Sequence, residues 1–204
     1  MDASDPACPT RDCESGVVAL RLRRPTDDQL AALLERCRSD RLSYEPIGAS
    51  LDPAVAVPGL HRRRWTTALH GASAFDRGVD AIQAWAAQRG SGLVVAADGP
   101  IAVGTNVALG VPLPVGFVDS TCRIVAVVDE PNRYGFAYGT LSVHPARGEE
   151  AFVIVRDDDG GVRFDVEAVS TPRQVLARLI PPVARRLQDT AVHRYLSAMV
   201  RAVG

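Results

Sequence analysis

The fold is decided by the stretch TCRIVAVVDEPNRYGFAYGTLSV, positions 121–143. It holds two β-rich runs, residues 121–129 and 134–143, separated by the turn signal Glu130-Pro131-Asn132. Runs joined by so short a turn pair as antiparallel neighbours, because parallel strands need a crossover of a dozen or more residues. Period-two alternation in the second run predicts one shared face for these residues: Tyr134, Phe136, Tyr138, Thr140 and Ser142.

Further strand candidates lie on both sides of this hairpin. They are residues 62–69, 93–97, 104–111, 149–156 and 162–170. Turn signals separate the later ones, and Asp159-Gly160-Gly161 is the clearest of these. The close spacing predicts an antiparallel meander.

Three helices are expected. Thr26 is placed as the N-cap of the first helix. A second helix begins at Ser73, with Asp76 completing a capping box, and ends at Gly90. The third begins with Thr171 as N-cap and Pro172 at the first helical position, and runs to the C-terminus. The prolines at 181 and 182 are expected to kink or split it.

From residue 62 the order is strand, helix, several strands and a long amphipathic helix. This order predicts an α+β, helix-grip (START/Bet v 1-like) fold, in which a curved antiparallel sheet surrounds the C-terminal helix. We expect a flexible tail over residues 1–16. Residues 17–60, a strand, a helix and an extended connector, are expected to pack on the outside of a helix-grip domain spanning residues 61–204.

The composition excludes several classes of protein. A net charge of −1 argues against a nucleic-acid binder that relies on bulk positive charge. The sequence contains no lysine, which excludes Schiff-base and P-loop chemistry. No apolar run is long enough to span a bilayer, and residues 1–16 lack the pattern of a secretory signal. Without a secretory signal, we expect a cytoplasmic protein with free thiols and no disulfide framework. No two histidines have the spacing of a metal pair, so we expect no metal, and no cofactor is expected.

Several segments resemble one protein family. They are residues 123–131 (RIVAVVDEP), 135–141 (GFAYGTL), 144–152 (HPARGEEAF), 42–48 (LSYEPIG), 169–172 (VSTP) and the helix that ends in Arg194-Tyr195-Leu196. In this order they are similar to the DUF1990, or UPF0548, family, from about Val17 to Arg201. The resemblance implies a START-like fold and no established reaction.

One group of residues is a candidate for proton chemistry. If the face of Tyr138 and Thr140 lines a cavity, both side chains can hydrogen-bond a ligand carbonyl. His144 would then move a proton while Glu150 orients its ring. The alternative is that His144-Pro145 caps a turn and that Glu149 and Glu150 pair with surface arginines.

Other residues are candidates for ligand contact. Arg123 has the fork geometry to bind a carboxylate or phosphate, although a cross-strand ion pair with an acidic neighbour is the alternative. Tyr44 and Trp85 offer aromatic area beside a cavity, or simple core packing. The remaining residues expected to line the cavity are Phe136, Phe152 and Phe164.

The first hypothesis is a module that binds a small apolar or amphipathic molecule between sheet and helix. The second is a polyketide-type cyclase or dehydratase that uses a cavity acid or base. The third is a structural or partner-binding protein whose interior is filled by its own side chains.

Overall fold

A computed structural model describes residues 18–173 and 181–204. The elements are β1 (Leu20–Arg21), α1 (Asp27–Cys37), β2 (His61–Leu69), α2 (Ala74–Gln83), α3 (Ala86–Gly90), β3 (Val94–Ala97), β4 (Asn106–Pro112), β5 (Phe117–Glu130), β6 (Arg133–Thr140), β7 (Ala146–Arg156), β8 (Val162–Pro172) and α4 (Pro181–Val203). No helix in this part of the chain has the length and apolar character to cross a membrane.

The strands form one antiparallel sheet in the order β2-β8-β7-β6-β5-β4-β3, with β1 paired to the start of β5. Strands β3 to β8 are consecutive neighbours, as the meander predicts. The register of the central hairpin shifts between Ile124 and Ala126, where β5 carries a bulge. The curved sheet and the C-terminal helix confirm the predicted α+β helix-grip class.

The inner face of the sheet packs against α4. The buried side chains of this helix include Val192, Tyr195 and Met199, and they join the main core cluster. Phe152 and Phe164 supply the facing sheet surface. Burial of an aromatic or aliphatic side chain contributes about 1.5–3 kcal/mol, so this interface is a principal source of stability.

The outer face is covered by the segment that precedes β2. Helix α1 begins at Thr26, whose hydroxyl accepts a hydrogen bond from the backbone of Gln29 in a capping box. Its apolar stripe, Leu30, Leu33 and Leu34, packs with residues of β3 and β4. The connector that follows forms a separate apolar cluster with the sheet through Tyr44.

Helix α2 starts after Ser73 as predicted, but the predicted capping box is absent, and the predicted start of the last helix at Thr171 is wrong. Ser73 has a left-handed backbone and its side chain makes no capping hydrogen bond. Thr171 and Pro172 belong to β8, where they pair with Arg147 and Ala146. The strand continues past the expected N-cap because the β7 backbone offers it partners, a tertiary contact that outweighs the local helix signal.

The helix predicted up to Gly90 is split in two. Trp85 adopts a left-handed conformation with φ of 58° and separates α2 from α3, and Ser91 rather than Gly90 is the C-cap of α3. The tail over residues 1–16, and residues 174–180 of the expected C-terminal helix, lie outside the described residues.

Candidate functional site

Alternation along β6 directs Phe136 and Tyr138 toward the core, opposite Phe152 and Glu150 of β7. The rings lie in contact: centroids are 5.0 Å apart for Trp85 and Phe136, and 5.5 Å apart for Phe136 and Phe152. Phe164 extends the row, 6.4 Å from Phe152. The aromatic residues predicted on this face are therefore gathered in one cluster.

A single carboxyl group interrupts this apolar surface. Glu150 occupies the inward position two residues before Phe152, and the Tyr138 hydroxyl donates to its Oε2 at 3.2 Å. Burial raises the pKa of Glu150 to about 7, although the hydrogen bond from Tyr138 acts in the opposite direction. The residue as a whole is mostly, but not completely, buried. At neutral pH the protonated and ionised forms coexist.

Tyr195 of α4 completes this group. Its ring meets Phe152 edge-on with centroids 5.5 Å apart. Burial, and next the charge of Glu150, raise the pKa of Tyr195 well above its ordinary value, and burial does the same for Tyr138. Both phenols therefore remain protonated and can donate hydrogen bonds. We call Tyr138, Glu150 and Tyr195 the inner acid cluster.

His144 is close in sequence to this cluster but has a different partner. Its Nδ1 accepts a hydrogen bond from the backbone N–H of Ala146 at 2.9 Å. Burial lowers the pKa of His144 to about 4, so the ring is neutral at physiological pH. The structure does not pair it with Glu150, whose hydrogen bond comes from Tyr138.

The hydroxyl of Thr140 is engaged by the protein itself. It lies 2.6 Å from Ser43 Oγ and accepts from the backbone N–H of Gly148 at 3.0 Å. This geometry ties the connector to the end of β6.

Arg123 holds helix α1 against the sheet. Its guanidinium donates to the backbone carbonyls of Arg38 and Asp40 at 3.0 and 2.8 Å, and to the side chain of Asn106 at 2.8 Å. A cation at a helix C-terminus also interacts favourably with the helix dipole. Neither an anionic ligand nor an acidic side chain is needed to explain its position.

Tyr44 and Trp85 lie on opposite faces of the sheet. Tyr44 packs over Gly139 on the outer face and donates to Glu149 Oε2 at 2.5 Å. Glu149 is 2% exposed and also accepts from the backbone N–H groups of Gly48, at 2.9 Å, and Ser50. Sequence reasoning missed this anchor because no local pattern distinguishes Glu149 from a solvated charge.

Two surface depressions lie apart from the inner acid cluster. One, of about 640 Å³, runs between the end of α3 and α4 and includes Arg194 and Arg201 in its lining. The other, of about 180 Å³, lies on the outer face and is lined partly by Arg64 and Asp165. Neither includes a member of the inner acid cluster.

Metal-ligating side chains are scattered. Within residues 18–173 and 181–204, no three His, Cys, Asp or Glu side chains are grouped so as to hold a metal ion. Cys37 and Cys122 are buried free thiols, and burial raises the pKa of both.

An antiparallel sheet wrapped against a C-terminal helix, with an acid at their interface, defines a helix-grip protein with a polar group inside. The chain belongs to the family described as Domain of unknown function (DUF1990), whose model matches residues 43–198. The match includes the connector, so Tyr44 and its partner Glu149 both lie within the family domain.

Two relatives carry the name UPF0548 protein. The one from Deinococcus radiodurans is 36% identical over 198 residues, covering 90% of this chain and 98% of its own length. The one from Dictyostelium discoideum is 37% identical over 118 residues, covering 52% of this chain and 54% of its own length. These matches confirm the resemblance found in the sequence.

A solved structure shares the fold. The hypothetical protein jhp0584 from Helicobacter pylori superposes with a TM-score of 0.55 at 12% identity, covering 72% of this chain and 92% of its own. At this identity the likeness describes the architecture and carries no function.

Proposed function

We propose that this protein binds a small apolar or amphipathic molecule between its sheet and α4, with the polar end of the molecule at the inner acid cluster. The observation that carries the proposal is the inward-facing carboxyl of Glu150 among the core rings, with Tyr138 as its hydrogen-bond partner. The same face provides the apolar surface for the rest of the ligand.

The carboxyl of Glu150 is unusual at an inward position of β7. The next inward positions of β7, Phe152 and Ile154, are fully buried apolar residues. A polar group buried without full hydrogen-bonding costs free energy, and an apolar side chain would stabilise the core better at position 150. Groups whose pKa values are strongly perturbed by burial are concentrated at functional sites.

The packing limits where a ligand can lie. Phe136, Phe152 and Phe164 are fully buried and in ring contact, so no space remains between them. The cross-strand neighbour of Glu150 is Ala168, a small side chain on the same inner face. We therefore place the ligand over Glu150 and Ala168, beside the aromatic row.

An uncharged fluorescent probe tests this placement. N-phenylnaphthylamine, whose emission rises in apolar surroundings, is titrated into the wild type and into Ala168→Leu. We expect saturable binding by the wild type and at least a tenfold loss of affinity in the variant, because the added methyl groups occupy the proposed site.

The matched control is Ala68→Leu, at an exposed alanine of β2, which should bind as the wild type does. Circular dichroism establishes that both variants are folded. If the wild type shows no saturable binding, or Ala168→Leu binds the probe equally well, the proposed site is wrong. Absence of binding by the wild type would support the third hypothesis, in which the protein's own side chains fill the interior.

A second candidate function is proton transfer on the bound molecule, as in a cyclase or dehydratase. The observation that favours it is the Glu150 pKa of about 7, which suits a general acid or base near neutral pH. Of the predicted catalytic residues, Glu150 with Tyr138 fits this role better than His144, whose Nδ1 is held by Ala146. Tyr138→Phe should leave the affinity of a carrier within a few-fold and should abolish turnover by a cyclase.

A further inference from the structure

When Glu150 is protonated, the inner acid cluster presents hydrogen-bond donors and no charge. The Tyr138 hydroxyl donates a hydrogen bond to Glu150 Oε2, which uses one acceptor of the carboxyl. The protonated form of Glu150 then retains an O–H of its own, and Tyr195 brings a second hydroxyl from α4. Glu150 is not completely buried, so a ligand that lies against it can reach the first of these donors.

The residues that the structure describes around Glu150 disfavour a ligand with a charged group at this point. Burial and the hydrogen bond from Tyr138 account for the pKa of Glu150, and no described arginine or histidine contributes to it. A ligand carboxylate would lie beside an acid without a cation to pair with it. An ammonium would require ionised Glu150, and burying both charges carries a large desolvation cost.

From this arrangement we infer that the ligand carries an uncharged carbonyl oxygen, which accepts hydrogen bonds from Glu150 and Tyr195 while its apolar body lies over Ala168 and Phe152. The inference rests on the proposed function and adds the chemical class of the ligand. A carbonyl oxygen has two lone pairs, so it can accept from both donors at once.

Met199 provides a reporter in the core. It is fully buried on α4 in the same cluster as Tyr195, and the only other methionine is Met1. In protein labelled with ¹³C at the methionine methyl groups, the Met199 signal is followed during titration with four matched probes. They are acetonaphthone, ethylnaphthalene, naphthoate and naphthylmethylamine, which share one ring system and differ in the polar group.

We expect acetonaphthone to bind about tenfold more tightly than ethylnaphthalene. The ketone oxygen accepts hydrogen bonds from Glu150 and Tyr195, whereas ethylnaphthalene leaves both donors without an acceptor. Glu150→Leu should remove this preference. Glu150→Gln, which keeps an N–H donor, should retain most of it, and Tyr195→Phe should reduce it several-fold. Tyr134→Phe is the matched control, because that hydroxyl pairs with Gln83 on the protein surface and should leave the preference unchanged.

The outcomes separate this inference from the proposed function. Equal affinity for acetonaphthone and ethylnaphthalene, or tighter binding of naphthoate or the amine, overturns the carbonyl assignment while a binding site remains. A preference for the ketone that survives in Glu150→Leu also overturns it. A Met199 signal unchanged by all four probes counts against the binding site itself.

Discussion

The adjacent carboxyl groups of Glu149 and Glu150 face opposite sides of the same sheet. Glu149 accepts hydrogen bonds from Tyr44, Gly48 and Ser50 of the connector on the outer face. Glu150 accepts from Tyr138 beneath α4. Glu149 thus ties the connector to the sheet while Glu150 faces the core at the proposed binding site, because successive side chains of a strand alternate between faces.

Replacement of Glu149 should destabilise the fold. Glu149→Ala leaves two backbone N–H groups and the Tyr44 hydroxyl without their acceptor, at a cost of about 3 kcal/mol or more. Urea unfolding followed by circular dichroism measures the change. Glu130→Ala removes an exposed carboxylate paired with Arg133 and should cost less than about 1 kcal/mol. Similar losses in the two variants would contradict the anchoring role.

Gly139 should tolerate no side chain while Tyr44 is present. A Cβ at this position would lie 2.6 Å from Cε1 of the Tyr44 ring, so Gly139→Ala forces the connector away from the sheet. We expect a loss of about 1–3 kcal/mol from this overpacking.

The double variant Gly139→Ala with Tyr44→Ala tests that cause. Its loss of stability should be smaller than the sum of the two single losses, because the clash is absent once the ring is removed. Strict additivity would show that the alanine acts through something other than the Tyr44 contact.

Arg123 should support stability rather than ligand binding. Arg123→Met removes the cation that holds the carbonyls at the end of α1 and should cost about 2 kcal/mol. Arg38→Ala, which loses an exposed ion pair with Glu35, should cost less than about 1 kcal/mol. Chemical denaturation measures the stability of both variants. A loss of probe affinity in folded Arg123→Met would instead place Arg123 at the ligand.

Glu150 and His144 should give opposite pH dependences of stability. The pKa of Glu150 is raised from 4.5 to about 7, so its contribution is fully present below pH 4.5 and is lost as the pH rises to about 7. The pKa of His144 is lowered from 6.5 to about 4, so its contribution is present above pH 6.5 and is lost as the pH falls to about 4. Over the shared interval the two effects largely cancel.

Replacing one of the two residues should reveal how the other makes the free energy of unfolding depend on pH. Between pH 4.5 and 6.5, we expect Glu150→Gln to become more stable as the pH rises and His144→Asn to become less stable. Free energies of unfolding measured by urea titration at several pH values test this. Parallel slopes in the two variants would contradict the assigned burial of one group or the other.

Much of the fold was predictable because its signals are local. Alternation and turn residues located β2 to β8, and Thr26 was correctly placed as an N-cap. The error at Thr171 arose where a tertiary partner outweighed local propensity, because the β7 backbone completes hydrogen bonds that a helix start would have left open. At Ser73 the helix start was predicted correctly, but the residue has a left-handed backbone and its side chain makes no capping hydrogen bond.

The candidate site was predicted in part. Alternation placed Tyr138, Phe136 and Glu150 on inward faces, but the expected pairing of His144 with Glu150 is absent from the geometry. Tyr195 lies on the helix predicted at the C-terminus, and its proximity to Glu150 follows only from the way α4 crosses the sheet. Contacts between distant segments depend on such crossings and leave no mark in a local pattern.

The most direct test of the central claim is native mass spectrometry of the full chain, freshly purified from cells. The account predicts a population carrying one small molecule, which is released on collisional activation and is reduced in Ala168→Leu but not in Ala68→Leu. A wild type that carries no small molecule, and that takes up none when incubated with acetonaphthone or N-phenylnaphthylamine, would contradict the claim.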